Sequence, residues 1–581
     1  VTDARHVPLP AGNETPSRTL LLTPGSKRPC KIAQKENGST IMETPPKTLR
    51  PKVVRLHPAD HVVVAAQLLS PGETIQIAGQ ETPVRQTIPP GHKMAIQPVE
   101  PGGYVYKYGQ IIGQATSPIA PGDWVHTHNL ASADTVRDYA KATAIPPPPT
   151  PIRDRTFLGY RRASGKAGTR NYLAVISTVN CSATVSRYVA QRFDRAALRA
   201  FPNIDGVLAI RHGGGCGIQF AGLQHEILNR TLAGMARHPN IAGYLLIGLG
   251  CEQAAMGYLL QSQGLVQIEQ VGPGSLSVPQ EAASGGTRSL GAASARPGPL
   301  VLSIQDQGGT VKTVEAGVRM LAELLPRAND VRREPIPASE IILGTNCGGS
   351  DGHSGVTCNP ALGVASDLIV ACGGTTALAE TTEVYGAEHL LTRRAVSEAV
   401  ADKLLARIQW WLWHTSLYGV QINNNPSVGN KEGGLTTIAE KSLGAVAKAG
   451  STALTAVYEY AEPITAKGFV FMDTPGFDPP SVTGLVAGGC NVMVFTTGRG
   501  SCYGLKPCPT IKVASNTPMY ERMIDDMDLN AGEVLEGRSV ESVGREIFEK
   551  ILSVASGEKT KSELHGYGDD EFVPWQIGPT L

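Results

Sequence analysis

The chain has 581 residues, with 52 Lys plus Arg against 51 Asp plus Glu and a formal net charge of +1; it exceeds what one hydrophobic core serves and lacks the basic footprint of a nucleic-acid or membrane-surface binder. Aromatic residues make up 5% and glycines number 65, which suits close-packed loops and does not suit an aromatic nucleic-acid platform. Ten cysteines are too sparse for a disulfide scaffold, no apolar run reaches the roughly 20 residues of a membrane helix, and no signal-peptide pattern opens the chain, so the expectation is a cytoplasmic protein with reduced thiols and a small-molecule ligand.

Residues 1–50 are polar, proline-rich and without period, and read as a disordered tail, with Met42 as an alternative start of the native chain. Residues 51–131 carry short alternating runs, among them TIQIAG and YVYKYGQIIGQA, broken by PG and GG turns, which predicts a small all-β domain. Residues 132–155 include Pro146, Pro147, Pro148 and Pro149 and predict a stiff linker that tethers the β domain separately. Residues 156–333 alternate strand-like runs with helical patterns such as VEAGVRMLAELLPRA, and residues 334–581 resume the alternation through GFVFMDTPG, NVMVFTTGRG and TIKVASNT. The fold class is therefore α/β and multidomain: a small N-terminal all-β domain, a central α/β domain and a C-terminal α/β domain.

The chemistry-bearing residues follow the strands. In GDWVHTHNL, His126 and His128 are two apart, which on a strand puts both imidazoles on one face, toward one metal or one carboxylate; two solvent-facing histidines are the alternative. PPGHKMAI places His92 and Lys93 after a turn. Four apolar runs deliver Cys181, Cys216, Cys251 and Cys347 to loops, either as thiolate ligands or as small buried hydrophobes. NCGGSDGHSG adds Asp351 and His353 to Cys347, and LAETTEVYG spaces Glu380 and Glu383 either as a cation-binding pair or as a solvated helix start. NNNPSVGNKEGG offers Asn430 and Lys431, and FTTGRG offers Arg499, whose fork suits an acidic substrate. Neither loop has a phosphate-binding glycine pattern.

Taken together, GHKMAI, YGQIIGQA, HTHN, GYRRASGKAGTRNYLAV, NCSAT, IGLGCE, NCGGSDGHSG, NPALG, NPSVGNKEGG and FTTGRG resemble the altronate/galactarate dehydratase family across residues 53–581. The resemblance implies an N-terminal SAF (β-clip-like) domain, two α/β domains, and Fe2+-dependent dehydration of a sugar acid to its 2-keto-3-deoxy product, with another divalent cation compatible. It favours D-altronate over galactarate. On this reading His126, His128, His92 and His353 serve as acid or base, Arg499, Asn430, Lys431 and Lys93 hold the acid, and His126, His128, Cys347 and Asp351 bind metal, with Cys181, Cys216, Cys251, Glu380 and Glu383 as further ligands. No nucleic-acid or membrane partner is expected, and a homo-oligomer is compatible. The rivals are a sulfolactate sulfo-lyase, a dehydratase using an iron–sulfur cluster, and a non-catalytic sugar-acid sensor, which lacks any helix-turn-helix or basic stripe to work through.

Overall fold

The computed structural model describes residues 51–133, 139–253, 256–263, 265 and 300–581; the expected disordered tail lies outside them. Residues 51–131 form an all-β domain. Strands Val53–Val54, Val62–Ala65, Lys93–Ala95 and Trp124–Val125 pair antiparallel in that order, beside a hairpin and a three-stranded sheet. In the hairpin strand Thr74–Ile77 the exposed/buried alternation sends Ile75 and Ile77 inward, the period of two that marks a half-buried strand. The strand Tyr104–Lys107 turns into Gln110–Ala115 through Tyr108 and Gly109, both at positive φ (62° and 68°), which matches the right-handed twist of a tight hairpin.

The central domain has a four-stranded parallel sheet in the order Gly206–Ile210, Tyr172–Ser177, Ile241–Gly248, Leu300–Ser303. Helices Asn180–Ala190 and Thr310–Asn329 pack on each other, while helix Leu223–Ala236 packs on helix Asp478–Gly488 of the next domain. A Cβ on Gly234 would collide with the Ala487 backbone, so that crossing requires glycine. The C-terminal domain has a seven-stranded parallel sheet: Leu454–Tyr458, Gly468–Met472, Thr375–Leu378, Ile342–Cys347, Val492–Thr497, Thr510–Ala514, Leu529–Asn530. Its inner strands are buried on both faces, which is why they read as unbroken apolar runs. From Ile342–Cys347 the chain first builds the sheet to one side, then returns to the other with Val492–Thr497. Ligands of open α/β sheets bind at the carboxyl ends beside such a reversal.

The expected separate tethering of the β domain does not hold. Its Val62, Ala95, Val105, Ile112 and Leu130 share one apolar cluster with Leu443, Val446, Phe469 and Phe471 of the C-terminal domain. Lys93 and Lys107 both donate to the Glu440 carboxylate at 2.9 Å, with all three side chains buried. Tyr108 inserts where a Cβ on Gly355 would collide with its hydroxyl. Even the proline-rich segment lies on the C-terminal domain, with Ala142, Ala144 and Ile152 N–H donating to Thr392, Arg393 and Ala371 carbonyls. Buried apolar and ionic surface overrides the stiffness of the linker.

Candidate active site

Three strands of the C-terminal sheet end around one cleft of about 560 Å3. Cys347 closes the strand Ile342–Cys347, Glu380 and Glu383 follow Thr375–Leu378, and Asp478 follows Gly468–Met472. Cys347, Glu380 and Glu383 are 2%, 1% and 3% exposed, so the two carboxylates are not a solvated helix start. Glu380 adopts φ 66°, a left-handed backbone that a non-glycine residue holds at a cost and that clusters at functional sites.

The Cys347 Sγ lies 3.7 Å from both Glu380 oxygens and 3.8 Å from Glu383 Oε2. Among the described residues this is the one group of three or more His, Cys, Asp or Glu side chains with donor atoms within 4.8 Å of one another. Two lysines answer the charge. Lys448 donates to Cys347 Sγ at 2.9 Å and to Glu380 Oε2, and Lys441 donates to Glu383 Oε1 at 2.7 Å and Asn425 Oδ1 at 3.0 Å. Glu380 Oε1 and Glu383 Oε2 stay clear of lysine, so thiol and carboxylates can converge on one cation.

Burial pushes the Glu380 carboxyl up to about 7, with Glu383 adding and Lys448 opposing. Burial likewise raises the Cys347 thiol to about 12, and Glu380 adds to it. Asp478, half-buried on the cleft wall, has its carboxyl held well above the ordinary range by burial and then by Glu380 and Glu383.

The chain matches the sequence family described as "D-galactarate/Altronate dehydratase, C-terminal" over residues 338–580, "D-galactarate dehydratase/Altronate hydrolase, second domain" over residues 159–329, and "Altronate/galactarate dehydratase SAF domain" over residues 51–133. Among curated relatives, the altronate dehydratase of Bacillus subtilis (strain 168) is 34% identical over 91% of this chain and 99% of its own length. The galactarate dehydratase (L-threo-forming) of Escherichia coli (strain K12) is 38% identical over 81% and 87%, and the altronate dehydratase of the same strain 33% over 91% and 99%. The chain belongs to the altronate/galactarate dehydratase family.

The family motifs fall in three places. Cys347, Glu383, Asn430 and Lys431 line the cleft, but Asp351, His353 and Arg499 line a second cavity of about 580 Å3. The reason is strand order: Arg499 follows Val492–Thr497, on the other side of the Cys347 strand, where it pairs with Glu432 at 3.2 Å. Asp351, expected as a ligand, spends its oxygens on Ser354, Ser515 and Asn516. His353 Nε2 donates to the Ala65 carbonyl at 3.0 Å, clamping the SAF domain. Lys93 lies in the Glu440 ion triad and not in the cleft. Cys181, Cys216 and Cys251 are exposed in the central domain. Lys441, Lys448, Asn425 and Asp478 were not singled out from sequence; a charged residue inside an apolar stretch, as Lys448 is in GAVAKAG, was the available signal.

The HTHN segment stays on the SAF domain. His126 stacks on Trp124 with rings 5.2 Å apart, His92 accepts from Trp124 Nε1 at 3.1 Å and donates to the Glu432 carbonyl, and Asn129 caps the turn. His128 is exposed and stands beside Trp124. Neither His126 nor His128 belongs to the thiol–carboxylate group. Burial holds His92 and His126 down at about 4, so both are neutral in the fold. The stability that this contributes is complete above the unfolded value near 6.5 and is lost as pH falls toward 4. Tm should therefore drop across that window, and more gently in His126→Phe, which keeps the stack; an unchanged slope in the variant would reject this origin.

Proposed function

We propose that the chain is a sugar-acid hydro-lyase that removes water from D-altronate to give 2-keto-3-deoxy-D-gluconate, using a divalent cation such as Fe2+. The buried Cys347–Glu380–Glu383 group beneath a polar cleft carries the reading. A thiolate beside two carboxylates suits a cation of borderline softness. When bound, the cation would supply a Lewis acid that stabilises charge on a substrate carboxylate as its α-proton leaves.

The chain's own groups do the rest. Asn425 and Asn430 line the cleft and both accept from Lys441 through Oδ1, so they position that ammonium at the substrate. Glu383 Oε2, at the cleft and free of lysine, is offered to the cation, so this carboxylate would hold the cation beside the substrate's C2. Asp478 and the Lys441 ammonium are donors placed for the departing 3-hydroxyl, so that one proton and one hydroxide leave as water and the enol becomes the ketone. The upward shift of the Asp478 carboxyl favours its protonated form, as a proton donor needs.

Lys431 is half-buried at the cleft and is the cation there without a carboxylate partner among the described residues. One such cation suits a monoacid better than a diacid, which favours altronate over galactarate. A charge-assisted hydrogen bond contributes about 1.5–3 kcal/mol, so Lys431→Met should raise KM about 10- to 100-fold with kcat nearly kept; an unchanged KM would remove Lys431 as the carboxylate anchor. The reaction itself is tested by anaerobic turnover with ferrous iron on D-altronate, galactarate and sulfolactate. The 2-keto-3-deoxy product from altronate is the expected result, whereas product from galactarate alone, sulfite release, or silence of a folded, iron-loaded chain would overturn it.

A further inference from the structure

Three cysteines outside the catalytic cleft stand apart from the others. Of the nine free cysteines among the described residues, Cys181, Cys216 and Cys251 are the exposed ones, and all three lie in the central domain. Free cysteine is ordinarily among the most buried residue types. Each follows one of three adjacent strands, Tyr172–Ser177, Gly206–Ile210 and Ile241–Gly248, at the carboxyl edge of one parallel sheet.

The three loops touch one another. A Cβ on Gly215, beside Cys216, would collide with the Thr178 carbonyl, and Gly215 has φ 99°, so glycine is required for that approach. The Asn180 N–H donates to the Gly214 carbonyl at 2.9 Å, the Thr178 hydroxyl to Glu252 Oε1 at 2.7 Å, and the Gly217 N–H to Gln253 Oε1 at 3.2 Å. Every cysteine thus sits within three residues of a contact to another cysteine's loop. Cys181 is also the second residue of the helix Asn180–Ala190, and Gln305 Nε2 donates to Cys251 Sγ at 3.5 Å.

Spacing selects the ligand. A single tetrahedral ion with metal–sulfur bonds of about 2.3 Å holds its sulfurs roughly 4 Å apart. These three thiols are not such a group, since among the described residues Cys347, Glu380 and Glu383 alone bring three donor atoms within 4.8 Å of one another. A polynuclear cluster spreads its thiolates over several metal atoms and does not require them that close together. We propose that Cys181, Cys216 and Cys251 form a three-thiolate site for an iron–sulfur cluster, with the remaining cluster position open to solvent or a small ligand. The site shares no residue with the lining of the cleft and is independent of the dehydratase reading.

The test is anaerobic reconstitution of the full chain with iron and sulfide, followed by visible absorption and assay of bound iron and acid-labile sulfide. The wild type should become brown and hold matched iron and sulfide. Cys181→Ser, Cys216→Ser and Cys251→Ser should each fall to background sulfide at unchanged Tm, whereas Cys347→Ser should keep the chromophore. A wild type that gains no labile sulfide, a chromophore that survives the three substitutions combined, or one lost in Cys347→Ser would overturn the site. Because the three thiols are exposed, serine there should not disturb folding, and matched Tm values separate loss of ligand from loss of fold.

Discussion

Glu383→Gln should weaken divalent-cation binding and, with it, lower kcat at fixed iron by at least the roughly 10- to 100-fold lost when only the outer support of a metal ligand is removed. Its Oε2 is the cleft-facing oxygen beside Cys347 Sγ, and its Oε1 accepts from Lys441 and Asn425. Glutamine retains an acceptor for Asn425 but removes the charge that answers the buried Lys441 ammonium. The neighbouring pair marks a different failure. Glu380→Ala would leave Lys448 buried without its carboxylate, and breaking a buried pair from one side costs about 3–5 kcal/mol, so that variant loses stability as well as turnover. The assay is steady-state kinetics with anaerobic ferrous-iron equilibrium dialysis, checked against Tm. Activity of Glu383→Gln within about threefold of wild type would show that the carboxylate is not part of the chemistry.

The largest stability loss is expected from Glu440→Gln. One carboxylate there neutralises two ammonium groups, Lys93 and Lys107, across the contact between the SAF and C-terminal domains, and the three side chains are 0%, 0% and 1% exposed for Glu440, Lys93 and Lys107. Removing it strands two buried charges, so the cost should reach or exceed the 3–5 kcal/mol of a single broken buried pair. Lowered Tm and faster proteolysis of the SAF domain are the readouts. Adding Lys107→Met to Glu440→Gln should recover part of the loss, because one uncompensated charge then goes; a double variant no more stable than the single would sink the ion-triad account.

The same triad has a defined pH response. Burial alone would raise the Glu440 carboxyl, but Lys107 and Lys93 outweigh it and hold it well below the usual carboxylate range. A folded pKa below the unfolded one contributes stability that is complete above the unfolded value and is lost as pH falls through the folded one. The domain contact should therefore survive pH values at which ordinary surface carboxylates protonate, with the losses on mild acidification coming from buried histidines held down at about 4, His92 and His126 in the SAF domain and His212 and His238 in the central domain.

Much of the architecture was readable from residues alone. Alternation in TIQIAG predicts a half-buried strand, and the unbroken apolar runs before Cys347 and in NVMVF predict strands covered on both faces; both follow from the period of side-chain direction along a strand. The ordered motifs were equally sufficient for the family. Cys347, Glu383, Asn430 and Lys431 were legible as residues of a cleft because each belongs to a polar motif between apolar runs; the structure holds them in ordered elements, Cys347 at the end of its strand, Glu383 in a short helical turn, and Asn430 and Lys431 in the helix Val428–Glu432. The same rule pointed to Arg499, Asp351 and His353, which occupy a different cavity.

What the sequence determined by itself is the list of loops that carry chemistry, since local pattern marks where each strand stops. What the tertiary structure decided is which loops share a cleft. Strand order puts Glu380 and Asp478 on the side of Cys347 that Arg499 does not reach, and helix packing brings Lys441 and Lys448 back some sixty residues to those carboxylates. The contact between the SAF and C-terminal domains likewise turns Lys93 from a candidate ligand of substrate into half of a buried ion triad. A run of sequence specifies direction and burial along one element, but contacts between elements depend on sheet order and crossing geometry, which residues far apart in the chain set together.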